Sequence, residues 1–181
     1  KTTTVIKISK LDWLLTNWEY GWKIILDKVD KEVKRLKESS KTRKVTLVGH
    51  SSGGIMLRLY LSNYSLLGQI YNGFNHSDCI VSLGSPHNAI KSTRLRAMVN
   101  KKFPGSYYSP KVNYISIAGR IKIDDPDITN FARKYATNSY KAINGNDKDE
   151  GDGLVPISSA LLEDSKKLII EDTAHGGLFG K

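Results

Sequence analysis

The stretch Lys44-Val-Thr-Leu-Val-Gly-His-Ser-Ser-Gly-Gly54 limits what this chain can fold into more than any other. Val45 to Val48 is a short run of β-forming apolar residues, as a buried strand shows. Gly49-His50-Ser51-Ser52-Gly53 fits the pattern G-x-S-x-G, and Ile55 to Leu61 reads as a helix. Strand, sharp turn and helix form the setting in which that pattern lifts a serine hydroxyl to the tip of a strained turn. The chain entering and the chain leaving such a turn nearly touch, so glycine at Gly49 and Gly53 is expected to remove Cβ atoms that would collide. A helix beginning just after Ser51 aims its free N–H groups and the positive end of its dipole at whatever Ser51 attacks. The backbone N–H of Ser52 is thus a candidate donor to a developing oxyanion. A turn of no chemical role would carry the same letters; the flanking strand and helix separate the two readings.

The remaining pattern alternates strands with helices. Thr3 to Ile8 reads as a strand and Ser9 to Thr16 as a connection. From about Trp18, Trp22, Ile25, Leu26, Val29, Val33 and Leu36 recur on one helical face. Strands are expected at Cys79 to Leu83, Val112 to Ala118 and Lys166 to Glu171, with helices at Ile128 to Tyr140 and Ser158 to Leu162. This order predicts an α/β fold, a mostly parallel sheet flanked by helices, in a single domain over residues 1–181. No run approaches the ~18 apolar residues of a membrane span. Cys79, the one cysteine, excludes an internal disulfide and a cysteine-built metal site. The net charge of +10 admits an anionic partner. It concentrates in residues 88–111, where Lys91, Arg94, Arg96, Lys101 and Lys102 meet no acidic residue and Phe103, Tyr107 and Tyr108 are interspersed. That segment is expected as a lid or cap excursion between two strands, resting on an anionic membrane surface. The alternative is a solvated loop. Nucleic acid is not expected, since no nucleic-acid motif accompanies the charge.

Two further residues complete a chemical set. Asp152 lies in the loop Gly151-Asp-Gly-Leu-Val-Pro156, and His175 follows the last strand in Asp172-Thr-Ala-His-Gly-Gly177. The chain order Ser51, Asp152, His175 is that of a nucleophile, acid and base placed at successive strand ends. His175 would take the Ser51 proton, and Asp152 would hold the imidazole in the right tautomer. Asp172 competes as the acid, Asp147 and Asp149 read as solvated, and His50 is expected to face away from Ser51. Gly84-Ser85-Pro86-His87 ends the Cys79–Leu83 strand on the side of the turn, so Ser85 and His87 are candidate pocket-lining residues. No metal site and no cofactor is expected; the acidic loop 144–153 lacks the ligand spacing of a calcium loop.

Leu47-Val-Gly-His-Ser-Ser-Gly-Gly54, Leu83-Gly-Ser-Pro-His87, Gly151-Asp-Gly-Leu-Val-Pro156 and Ala174-His175-Gly176 together resemble the lipase-like α/β-hydrolase superfamily. They are most similar to its plant- and alga-type members, and more distantly to bacterial triacylglycerol lipases and glycosylphosphatidylinositol inositol-deacylases. The resemblance implies an α/β-hydrolase fold with Ser51, Asp152 and His175 as nucleophile, acid and base. It implies a carboxylic ester hydrolase of lipase or esterase type, acting on lipid esters through an acyl-enzyme. An acyltransferase on the same residues, or a non-catalytic relative that binds lipid or a partner, are the alternatives. In that superfamily Ser85-Pro86-His87 shapes the pocket, and the second oxyanion donor comes from a loop after an earlier strand. The chain therefore resembles a fragment without the N-terminal strands, whose sheet would carry an uncovered edge. A cytoplasmic or organellar (plastid) location is expected over secretion.

Overall fold

The computed structural model describes residues 2–176 of the chain. Four strands pair in the order β1 (Val45–His50), β2 (Ser77–Leu83), β3 (Asn113–Arg120) and β4 (Lys166–Glu171). Every neighbouring pair is parallel. Parallel neighbours require a crossover. Helix α3 (Ser52–Leu61) begins the one from β1 to β2, and α4 (Arg94–Lys102) lies between β2 and β3. Helices α5 (Asn130–Asn144) and α6 (Ile157–Ala160) lie between β3 and β4. Ahead of the sheet come α1 (Lys10–Leu14) and the long α2 (Glu19–Ser39).

The apolar periodicity of α2 does what it predicts. Trp22, Ile25, Leu26, Val29 and Val33 are buried against the sheet residues Leu47, Ile80 and Tyr114 and against Ile55 and Leu59 of α3. Helix α3 is sunk so deeply that every residue from Gly54 to Leu61 is buried. The register sets Leu47, Ile80 and Tyr114 on this covered face. Their strand neighbours point the other way, and on that side Val48, Leu168 and Ile170 are 62%, 50% and 41% exposed.

Three local expectations differ from the structure. Residues 3–8 form no strand, because an extended segment becomes one only when a neighbour shares its hydrogen bonds, and none runs alongside among the described residues. The expected connection at Ser9 to Thr16 contains α1, opened by a capping box in which Ser9 Oγ accepts from Asp12 N–H and the Asp12 carboxylate accepts from Ser9 N–H. Helix α5 starts after its Thr129 cap and runs on to Asn144, four residues past the expected end. Within the region 88–111, Leu95 and Val99 of α4 are buried in the main core beside Phe103.

Candidate functional site

Ser51 sits between β1 and α3 with φ 55° and ψ −129°. Such a backbone costs a non-glycine residue on the order of 1–3 kcal/mol and persists only where the surroundings impose it. Here the Ser51 N–H donates to Leu83 O at 2.8 Å, at the matching end of β2. A Cβ on Gly49 would stand 2.6 Å from Gly54 N and 2.7 Å from Gly53 C, so glycine is required there. Gly53 differs from the sequence expectation: a Cβ on it would meet nothing within 4 Å. The other tight glycine is Gly54, whose Cβ would collide with Ser85 Oγ. The turn is close-packed on its strand side and against the β2 loop, and open at Gly53.

Asp152 is held from several directions. Its Oδ1 accepts from Leu154 N–H at 3.0 Å and from Val155 N–H at 2.7 Å, and the residue is 3% exposed. Gly153 turns the chain with φ +92°, and its N–H donates to Tyr140 Oη of α5 at 2.7 Å. The buried Tyr140 hydroxyl thus clamps the loop, and burial pushes its own pKa up. Asp152 Oδ2 lies 2.8 Å from His175 Nδ1, and His175 N–H donates to Asp152 O, also at 2.8 Å. A carboxylate only accepts, so in the neutral imidazole this bond puts the His175 proton on Nδ1 and leaves Nε2 as the acceptor. The alternative acid, Asp172, is exposed. Asp149 is not simply solvated as expected, since it bonds Ser158 Oγ at 2.8 Å and the Asn144 amide.

This acid–imidazole pair lies beside the Ser51 turn. Gly84 follows Leu83, whose carbonyl holds the Ser51 N–H, and a Cβ on Gly84 would come within 2.7 Å of Asp152 Oδ2 and 3.1 Å of His175 Nδ1. Ser51 Oγ and His175 share no hydrogen bond in this arrangement; free enzymes commonly tighten that contact only when substrate arrives. His50, expected to face away, places its ring 4.6 Å from the His175 ring. Partial burial, and then the neighbouring His175, lower its pKa.

The other predicted residues have distinct places. Ser52 opens α3, so its N–H has no acceptor within the helix. Its Oγ accepts from Arg96 Nη2 at 2.6 Å. Ser85 is fully buried, with Oγ unpartnered against Gly54. His87 is 1% exposed. Its Nδ1 is 3.3 Å from Arg58 Nη1 and its Nε2 is 3.0 Å from Ser82 Oγ. A guanidinium only donates, so Nδ1 accepts and Nε2–H donates to Ser82. Burial, then the Arg58 charge, holds the His87 pKa well below the usual range. Both ring nitrogens are therefore engaged inside the protein. Among the described residues no three His, Cys, Asp or Glu side chains converge on a metal position. Tyr140 and Arg96 were the residues sequence reasoning did not place at the site; each acts through a contact distant in sequence, which no local pattern announces.

A family model described as an alpha/beta hydrolase of unknown function (DUF915) matches residues 24–176. No curated protein matches the sequence. Among solved structures, the mature form of the Bacillus licheniformis lipase BlEst2 is similar with a TM-score of 0.57 and 18% identity, over 84% of this chain and 66% of that one. The propeptide form of the same lipase gives a TM-score of 0.55 and 16% identity, over 84% of this chain and 36% of that one. The chain thus spans just under two thirds of the mature lipase. At these identities the likeness shows a shared fold.

Proposed function

The chain belongs to the alpha/beta hydrolase family of unknown function (DUF915), and on that premise we propose that it is a serine hydrolase cleaving carboxylic esters, lipid esters among them, through an acyl-enzyme on Ser51. The observation that carries this reading is the Asp152–His175 hydrogen bond of 2.8 Å, packed against the residue beside the strained Ser51 turn. In the proposed reaction His175 Nε2 removes the Ser51 hydroxyl proton as Oγ attacks the ester carbonyl. Asp152 stabilises the imidazolium that forms and keeps its Nδ1–H pointed inward. The Ser52 N–H, at the positive end of α3, donates to the oxyanion. The intermediate collapses as His175 returns the proton to the leaving alcohol. Water, deprotonated by the same imidazole, then releases the acid. The exposed Lys91, Arg94, Lys101 and Lys102 favour an anionic interface as the source of a lipid ester.

A fluorophosphonate tests this reading. One adduct on Ser51, seen by intact mass and peptide mapping, is expected, and Ser51→Ala removes it. Asp152→Asn keeps the shape but favours the wrong tautomer, and slows labelling on the order of 10⁴-fold. A folded protein that gives no adduct, or an adduct that survives Ser51→Ala, refutes the proposal.

A further inference from the structure

Two arginines of α3 and α4 are drawn out of solvent to different degrees, Arg58 buried and Arg96 half-buried, and their hydrogen bonds differ. Arg58 is 3% exposed and has no carboxylate, yet it gives hydrogen bonds to Asn100 Oδ1 at 2.7 Å, to Phe103 O at 2.7 Å and to His87. It ties α3 to α4 and to the β2 loop, and its role is structural. Arg96, from the first turn of α4, has one acceptor, Ser52 Oγ at 2.6 Å. Its Nε is buried without a partner, as is that of Arg58, so the difference between the two lies at the guanidinium ends. No ion pair engages it among the described residues. Nη1 has no partner among the described residues.

A guanidinium taken partly out of water with most of its donors unused is unfavourable on its own. Burial lowers its pKa, and no neighbouring carboxylate offsets this. Its hydrogen-bond partner is Ser52, whose backbone N–H is the proposed oxyanion donor. Arg96 and the amino end of α3, where Ser52 follows Ser51, therefore present positive charge together, and no ion pair among the described residues offsets it.

We propose that Arg96 is a specificity-determining residue that receives an oxyanionic group, carboxylate or phosphate, carried by the ester that Ser51 attacks. This deepens the hydrolase reading and rests on it: the substrate class becomes anionic esters. Ser52 Oγ fixes one end of the guanidinium, and the free end forms charge-assisted hydrogen bonds with the substrate. The group sits on the acyl arm if it is a carboxylate of a dicarboxylic half-ester, or on the alcohol arm if it is the phosphate of a phosphorylated alcohol.

The test measures binding without turnover, on a Ser51→Ala background at physiological salt, by NMR titration. The ligands are monomethyl succinate, butyryl glycerol phosphate and neutral methyl butyrate. One or both anionic ligands are expected to bind about 10- to 100-fold tighter than the neutral ester, and the one that gains identifies the arm. Arg96→Gln should reduce that ratio to within about threefold, as the loss of one charge-assisted contact implies. Arg94→Gln removes the same charge from the exposed position two residues away and should leave the ratio intact. Absence of any anionic preference, its survival in Arg96→Gln, or equal loss in Arg94→Gln overturns the proposal. Failure of fluorophosphonate labelling at Ser51 instead overturns the hydrolase reading, and the binding ratios still decide whether Arg96 holds an anion.

Discussion

Gly49→Ala and Gly53→Ala should behave oppositely although both glycines belong to the same five-residue pattern. At Gly49 the added methyl would lie 2.6 and 2.7 Å from backbone atoms of Gly54 and Gly53, and backbone cannot swing aside as a side chain can. Overpacking typically costs about 1–3 kcal/mol, and a clash against two main-chain atoms belongs at the upper end, about 3 kcal/mol. At Gly53 the methyl meets nothing within 4 Å. Gly53 is the second residue of α3, where alanine is the better helix former by up to about 1 kcal/mol. The two variants should therefore differ by about 4 kcal/mol, several hundred-fold in the folding equilibrium. Urea denaturation at neutral pH reads the difference directly, and fluorophosphonate labelling of each folded variant reads the elbow itself. Gly53→Ala is expected to retain the parent labelling rate, while Gly49→Ala loses it along with stability. Equal destabilisation by the two substitutions would refute the argument, because it would mean that the close approach of strand to helix is not where the structure puts it.

Tyr140→Phe leaves the buried Gly153 N–H without its acceptor; a loss of about 1–3 kcal/mol by denaturation is expected, with slower labelling of Ser51 because the Asp152 loop is loosened, and an unchanged midpoint would contradict the clamp. His87 sets an acid limit. Its native pKa lies well below 6.5 because of burial and Arg58, so unfolding takes up a proton once the pH falls below about 6.5; its stabilising contribution is complete above that pH and is lost on going down. His87→Gln should flatten the fall in stability below about pH 6.5; an equal slope in the two proteins removes the assignment.

The legible parts of this chain were those whose cause is local. The Ser51 turn could be read because strand, glycine and helix follow one another within eleven residues from Lys44 to Gly54. Helix α2 could be read because burial of a single face forces the 3.6-residue period of Trp22, Ile25, Leu26 and Val29. What failed depended on partners. Thr3 to Ile8 alternates like a strand but has no neighbouring strand to bond among the described residues. Helix α4 escaped notice because only Leu95 and Val99 of its nine residues are buried, among lysines and arginines that mask the period. Gly53 was assigned a steric duty that falls to Gly54, since only the fold reveals that Ser85 Oγ lies against α3. Arg96 looked like one more charge in a basic run, and its contact with Ser52, 44 residues away, distinguishes it. Asp152 was readable because Leu154 and Val155 immediately follow it, and those are the residues whose N–H groups its carboxylate accepts.

The members of the site are not held with equal firmness. Ser51 pays for its strained backbone through α3, whose Gly54 to Leu61 are all buried. Asp152 is buried under a loop closed by Tyr140 and by its own hydrogen bonds to Leu154 and Val155. His175 follows β4, every residue of which is exposed. Its position depends on the Thr173 N–H bond to Arg120 O at 3.1 Å, the Arg120–Glu171 ion pair at 2.9 Å, the His50 ring 4.6 Å away and the two contacts with Asp152. An exposed ion pair contributes little, so the contacts with Asp152, one to its carboxylate and one to its main-chain carbonyl, dominate what keeps the imidazole in place. Local opening follows low burial and exposed backbone bonds. His175 is thus the member that leaves first, while Ser51 and Asp152 stay in register with the sheet. How often the site is assembled is set by the arm carrying His175, and Asp152 serves as the anchor of that arm as well as the partner of its imidazole.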